Sequence, residues 1–195
     1  MLDLTPATET VTRLVADIDD DQLGAPTPCR GTTVADMLAH VDGLCLAFTA
    51  AAAKDVAAGS QGPSADGSRL GPDWRMRISG RLAQLASAWH DETAWTGLTR
   101  AGGLDLPGEV AGCVAINEVV VHGWDIAAAT GHDYACETEL VQAAYAFAQG
   151  SVAQNPDGSP GLFGPPVAVP ESAPPLDRLI GLTGRDPAWQ PAGGN

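Results

Sequence analysis

Asn117-Glu118-Val119-Val120-Val121-His122-Gly123-Trp124-Asp125 is the stretch whose reading decides the fold. Glu118 and His122 stand at i and i+4, so in a helix they project from one face, one turn apart. That face runs Ala111, Val114, Glu118, Val121, His122, Asp125 and Ala129, small or apolar at its ends and polar in its middle. The other faces carry Val110, Ile116, Val119, Val120, Trp124 and Ile126. A helix that is apolar nearly all round belongs inside a core. A carboxylate and an imidazole buried there without partners cost several kcal/mol, roughly 3 or more for the charge alone. Either a hydrogen-bonded core pair or a divalent metal ion answers that cost, since both groups are good ligands for zinc and related ions.

Outward from this stretch, the helix is expected over 109–130, with Gly131 as its C-cap glycine and His132 exposed just beyond. Upstream, Gly102-Gly103 and Pro107-Gly108 bracket a loop. Before it, Trp74, Ile78, Leu82, Leu85, Ala86 and Trp89 form the stripe of a third helix, with Arg75, Arg77 and Arg81 facing water and His90 at its exposed end. Residues 59–72 are rich in Gly, Ser, Pro and Asp, and are either a mobile cover over a site or a plain surface connection.

The second helix is expected over 34–56, capped by Thr32 or Thr33, with Asp36 in its first turn. His40 lies inside it, and Asp36, one turn earlier, is a candidate to orient its ring. Thr5-Pro6 opens the first helix, which ends at Asp19-Asp20-Asp21. A fifth helix is expected over 137–152. From Asn155 onward proline breaks regular structure, yet Phe163, Val167, Val169, Leu176, Leu179 and Ile180 are too apolar for a disordered tail. An extended segment packed on the bundle is expected, then a short helix near 175–182 and a frayed end over 188–195.

The sum is an all-α fold: an antiparallel four-helix bundle with a Pro-rich C-terminal segment, forming a single domain over 1–187. Bundle interiors build metal sites from facing helices, and two long antiparallel helices would bring His40 level with Glu118 and His122. Three ligands leave an ion with an open position, the catalytic type rather than the closed structural one.

Composition bounds the rest. The net charge of −14 argues against nucleic acid and anionic membranes as partners. Cys29, Cys45, Cys113 and Cys136 are scattered and read neither as a disulfide framework nor as a zinc knuckle. The N-terminus lacks the features of a signal peptide, and the cytoplasm is the expected location.

Thr27-Pro28-Cys29 followed by Val34 through Val41 resembles the second helix of the mycothiol-dependent maleylpyruvate isomerase family, within the DinB-like superfamily of four-helix bundles. Asn117-Glu118 through His122-Gly123-Trp124-Asp125-Ile126-Ala127 and Ala129-Thr130-Gly131 is similar to that family's metal-binding helix. The tail, with Phe163-Gly164-Pro165-Pro166-Val167 and Gly184-Arg185-Asp186-Pro187, resembles an uncharacterised actinobacterial subfamily of metal-binding proteins. Two features depart from the family: Thr32 stands where tryptophan is common, and the chain is too short for the isomerase's additional C-terminal domain.

The resemblance implies His40, Glu118 and His122 as metal ligands, with zinc, nickel or another first-row ion bound. It implies mycothiol or a similar small thiol as co-substrate, a small electrophilic second substrate, and a transferase or isomerase reaction. It leaves room for a homodimer. Asp36 and Asp125 are the candidates to orient the imidazoles, and Arg185 is the candidate contact for an anionic substrate. A metal-dependent hydrolase, a non-catalytic module stapled by its ion, and a metal-free bundle are the alternatives.

Overall fold

The computed structural model describes residues 1–58, 62–159 and 161–191. Among these residues six α-helices form in chain order: α1 (Thr5–Asp17), α2 (Val34–Ala52), α3 (Trp74–Trp89), α4 (Gly108–Thr130), α5 (Thr138–Gln154) and α6 (Pro175–Leu182). One antiparallel hairpin joins β1 (Leu98–Ala101) to β2 (Leu104–Pro107). α1 and α2 each pack on both α3 and α4, giving a four-helix bundle; α5 lies on α4, and α6 on α5.

The core is continuous: Val11, Val15, Leu38, Cys45, Ile78, Leu82, Trp89, Ala115, Ile116, Val120 and Ile126 are all buried. α2 and α4 are long and apolar enough by composition to cross a membrane, but 56% of the former's apolar window and 83% of the latter's lie buried inside the bundle, as core helices do.

Helix ends explain most differences from the expected boundaries. α1 starts at Thr5 rather than after it, because the Asp3 carboxylate accepts the Thr5 N–H at 2.8 Å. α2 stops at Ala52, short of 56, where the chain turns through Lys54 at φ 59° and the lysine Nζ donates to the Ala94 carbonyl. The segment expected as a loop before α4 is instead the hairpin, turned at Gly102 and Gly103, both at positive φ. Of the expected cover segment, residues 59–61 lie outside the described residues. The part beyond them lies on α2, with Pro63 over Gly43 and Gly67 against Ala35.

Two surface expectations are corrected. The arginines of α3 are ties rather than a solvated face. Arg75 donates to the Ile18 carbonyl and to Asp20, while Arg77 and Arg81 both reach Asp42 on α2, at 3.1 and 2.7 Å. His90 is exposed at the helix end as expected, with Asp3 and Thr5 at its ring nitrogen, whereas His132, expected to be exposed, is half-buried against the Thr130 hydroxyl. At the far end, residues 192–195 lie outside the described residues, but Trp189 packs on the core and its N–H donates to Asp186.

Candidate metal centre

α2 is positioned by its own first turn. Thr33 caps it: the hydroxyl accepts the Asp36 N–H, and Asp36 Oδ2 accepts the Thr33 N–H at 2.9 Å and the hydroxyl at 2.7 Å. Asp36 Oδ1 accepts the Gly67 N–H at 2.9 Å. Both carboxylate oxygens are therefore committed to the cap and the loop, and these hydrogen bonds, Thr33's first, hold its pKa below the usual carboxylate range. Asp36 does not orient His40, contrary to the sequence expectation, because the N-terminal amides of α2 offer it closer donors. His40 Nδ1 is buried and has no hydrogen-bond partner among the described residues.

One turn further along α2, His40 Nε2 faces α4. It lies 3.9 Å from Glu118 Oε2, and that same oxygen lies 3.0 Å from His122 Nε2. The two imidazole rings meet edge to face, centroids 4.9 Å apart and planes at 87°. One donor atom from each of the three side chains falls within 4.8 Å of the others. Glu118 and His122 are buried, whereas the His40 side chain keeps 24% of its surface exposed, so the cluster opens to solvent on the α2 side.

Behind this cluster, His122 Nδ1 lies 2.9 Å from Asp125 Oδ2. Asp125 is fully buried and is gripped from its other side by Arg185, whose Nε donates to Oδ1 at 3.1 Å and whose Nη2 donates to Oδ2 at 2.8 Å. Arg185 Nη1 donates to the Thr183 carbonyl at 2.8 Å. The arginine is thus spent on Asp125, in place of the substrate contact the sequence suggested. The pairing joins residues 60 apart in sequence, and no local spacing announces it.

The electrostatics follow from this arrangement. Burial presses the His122 imidazole toward neutrality, but its hydrogen bonds to Asp125 and Glu118, with their charges, outweigh burial and raise its pKa to about 9. Burial and the neighbouring His122 charge lower His40 to about 4, against the pull of Glu118. Burial alone would raise Glu118; the His122 hydrogen bond and charge reverse this and hold it ionised. Burial likewise opposes ionisation of Asp125, and Arg185 and His122 overcome it. The result is one neutral imidazole, one cationic imidazole and an anionic carboxylate converging on one spot. Two nitrogens and an oxygen are a donor set suited to a first-row divalent ion, which would replace the proton shared by Glu118 and His122.

The comparisons with known proteins agree with this architecture. The family described as the mycothiol maleylpyruvate isomerase N-terminal domain matches residues 4–127, which hold all three clustered side chains. Two uncharacterized proteins from two strains of Mycobacterium tuberculosis are each 32% identical over 176 residues, covering 88% of this chain and 90% of theirs. The crystal structure of the mycothiol-dependent maleylpyruvate isomerase superposes with a TM-score of 0.58 at 22% identity, covering 77% of this chain and 70% of that one. A histidine-to-alanine mutant of the same enzyme gives a TM-score of 0.58 at 21% identity. At those identities the structures establish a shared helical fold, and the sequence match carries the lineage. The chain belongs to the mycothiol maleylpyruvate isomerase N-terminal domain family.

Proposed function

We propose that this protein is a metalloenzyme that uses a small thiol, of the mycothiol type, to transform a small electrophilic substrate by transfer or isomerisation. The observation that carries the reading is the convergence of one donor atom each from His40, Glu118 and His122 within 4.8 Å, with His40 partly open to solvent. In this reading the three hold one divalent ion, most simply zinc, and leave part of its coordination sphere free. Bound there, such an ion supplies Lewis acidity and favours the thiolate form of a thiol at neutral pH.

The chain's own residues do the rest. Glu118 and His122 sit on the rigid core helix α4, and His40 closes the set from α2. Ligands at about 2.0–2.2 Å from one ion lie about 3.3–3.6 Å apart at tetrahedral angles, so closing the set from 4.8 Å takes a shift of about 1 Å, which the half-buried His40 ring is best placed to make. Asp125 accepts from His122 Nδ1 and keeps Nε2 aimed at the ion. With two neutral imidazoles and one carboxylate, a divalent ion leaves the site with one net positive charge, which suits an anionic thiolate. The name of the related isomerase supports mycothiol as that thiol.

The test is elemental analysis of protein purified without added metal, followed by thiol consumption over a panel of electrophiles. The reading expects about one first-row ion per chain, lost in His122→Ala, and thiol-dependent turnover by the loaded protein. A metal-free wild type, or a loaded one that neither binds nor consumes a thiol, would remove it. Ester or amide hydrolysis without thiol would replace it with a hydrolase.

A further inference from the structure

We infer that Arg185 is a positioning residue that couples docking of the C-terminal segment to cation binding at His40, Glu118 and His122. The inference rests on the reading of that cluster as a metal site, and extends it to a part of the chain that supplies no ligand.

The geometry is specific. Asp125 has no exposed surface, and Oδ2 is shared between His122 Nδ1 at 2.9 Å and Arg185 Nη2 at 2.8 Å. Arg185 Nε fixes Oδ1 at 3.1 Å. The guanidinium fork therefore sets the plane of the carboxylate, and that plane sets where the imidazole points. Without the fork, Asp125 is free to rotate about its side-chain bonds, and a buried carboxylate loses its counter-charge. A buried ion pair is often no more stabilising than apolar residues of the same volume. Fixing the aim of His122 is a function that apolar substitutes could not perform.

Arg185 is itself placed by the tail. α6 ends in two hydrogen bonds, Gly184 N–H to the Gly181 carbonyl and Arg185 N–H to the Ile180 carbonyl, both 3.1 Å. This is a Schellman ending, and it requires the left-handed conformation that Gly184 adopts at φ +83°. The backbone there passes so close to Gly164 that a Cβ on Gly184 would lie 2.9 Å from its carbonyl carbon. Position 185 is thus dictated by α6 and the segment around Gly164, and its side chain reaches across to α4.

A ligand that holds His122 still also holds Asp125 still, so the tail docks on a partner that is already ordered. Coupling of this kind is reciprocal: what the ion does for the tail, the tail does for the ion. A purely structural ion pair would show no such dependence.

The experiment measures zinc affinity by chelator competition, and hydrogen exchange over 176–191 with and without zinc. In the wild type, zinc should slow exchange in that segment severalfold. Arg185→Gln should bind zinc about 10- to 100-fold more weakly, the range typical when the partner that orients a ligand is removed. Its tail exchange should no longer respond to zinc, and Arg185→Lys should recover the affinity only in part. Gly184→Ala leaves every ligand and the Asp125–Arg185 pair chemically intact while straining the turn, so it covers the case in which Arg185→Gln does not fold. It should also weaken zinc binding. Wild-type affinity in Arg185→Gln, or in a Gly184→Ala protein with a loosened tail, would overturn the coupling. So would wild-type tail exchange that is indifferent to zinc. A folded wild type that takes up no zinc would instead overturn the metal reading, and the coupling would fall with it.

Discussion

Gly123 and Tyr134 are in contact closer than any side chain at position 123 would permit: a Cβ there would lie 2.7 Å from the phenol oxygen and 2.9 Å from Cε2. The glycine next to His122 is therefore a packing requirement. It lets the segment after α4 fold back across the core helix, where the Tyr134 hydroxyl is buried beside Cys136. Val11 Cγ2, at 2.9 Å from the same point, closes the other side. Gly123→Ala should cost about 1–3 kcal/mol by overpacking, despite the better helix propensity of alanine. In a Tyr134→Ala background the same change should cost clearly less, and a double-mutant cycle by urea unfolding measures the difference. Equal costs in both backgrounds would show that Tyr134 is not what excludes the methyl group.

The two histidines of the cluster oppose each other in pH dependence. His122 has a folded pKa raised to about 9, so its contribution is fully present below the unfolded value near 6.5 and lost as pH rises through 9. His40 is lowered to about 4, so its contribution is present above 6.5 and lost as pH falls toward 4. Glu118, also lowered, adds to the loss on the acid side. Metal-free protein should be most stable near pH 6.5, declining on both sides. Urea titrations across pH 4–9 check this, and His122→Ala should abolish the alkaline decline and shrink the acid one, since the His122 charge helps hold both His40 and Glu118 down.

Metal uptake inverts the role of that same proton. An ion bound at His122 Nε2 must displace it, so zinc affinity should rise about tenfold per pH unit from 6.5 toward 9 and level off beyond. At pH 7.5, binding should release close to one proton per chain. Calorimetry in buffers of different ionisation enthalpy counts it directly; a release near zero would mean that His122 is already neutral in the metal-free chain.

What the sequence revealed, and what it hid, follows from the range of the forces involved. Glu118 and His122 share a face because helical spacing is local, and His40 could be matched to them because α2 and α4 are long, apolar and nearly all core. The hairpin was missed even though Gly102-Gly103 is a two-residue turn of the kind that joins paired strands. Leu98 and Leu104 are exposed while Thr99 and Ala101 are buried, so the alternation of β1 does not set apolar residues inside against polar ones outside. The Arg185–Asp125 fork was hidden for another reason. It depends on how a proline-rich segment crosses the bundle, and neither periodicity nor spacing encodes that path. The roles of Arg77 and Arg81 were misread because a charged stripe looks the same whether it meets water or an aspartate on the next helix.

The same limit applies to the two aspartates, which looked alike from sequence: each lies one turn or less from a histidine. The structure separates them, and so should mutation. Asp36 holds the first turn of α2 and the Gly67 amide. Asp36→Ala should destabilise the protein by about 0.5–2 kcal/mol, as loss of a cap does, without touching zinc affinity in the folded chain. Asp125 holds the His122 ring and is itself buried against Arg185. Asp125→Asn keeps an acceptor for Nδ1 but strands the guanidinium without a counter-charge, so zinc affinity should fall about 10- to 100-fold. It should also bring the pH at which zinc affinity levels off below 9, since a carboxylate that raised the His122 pKa is gone. Zinc competition and thermal melts on the two variants give the comparison. If Asp36→Ala weakens zinc as much as Asp125→Asn does, then α2 moves when its cap is lost, and the placement of His40 depends on the first turn more than its packing against α4 implies.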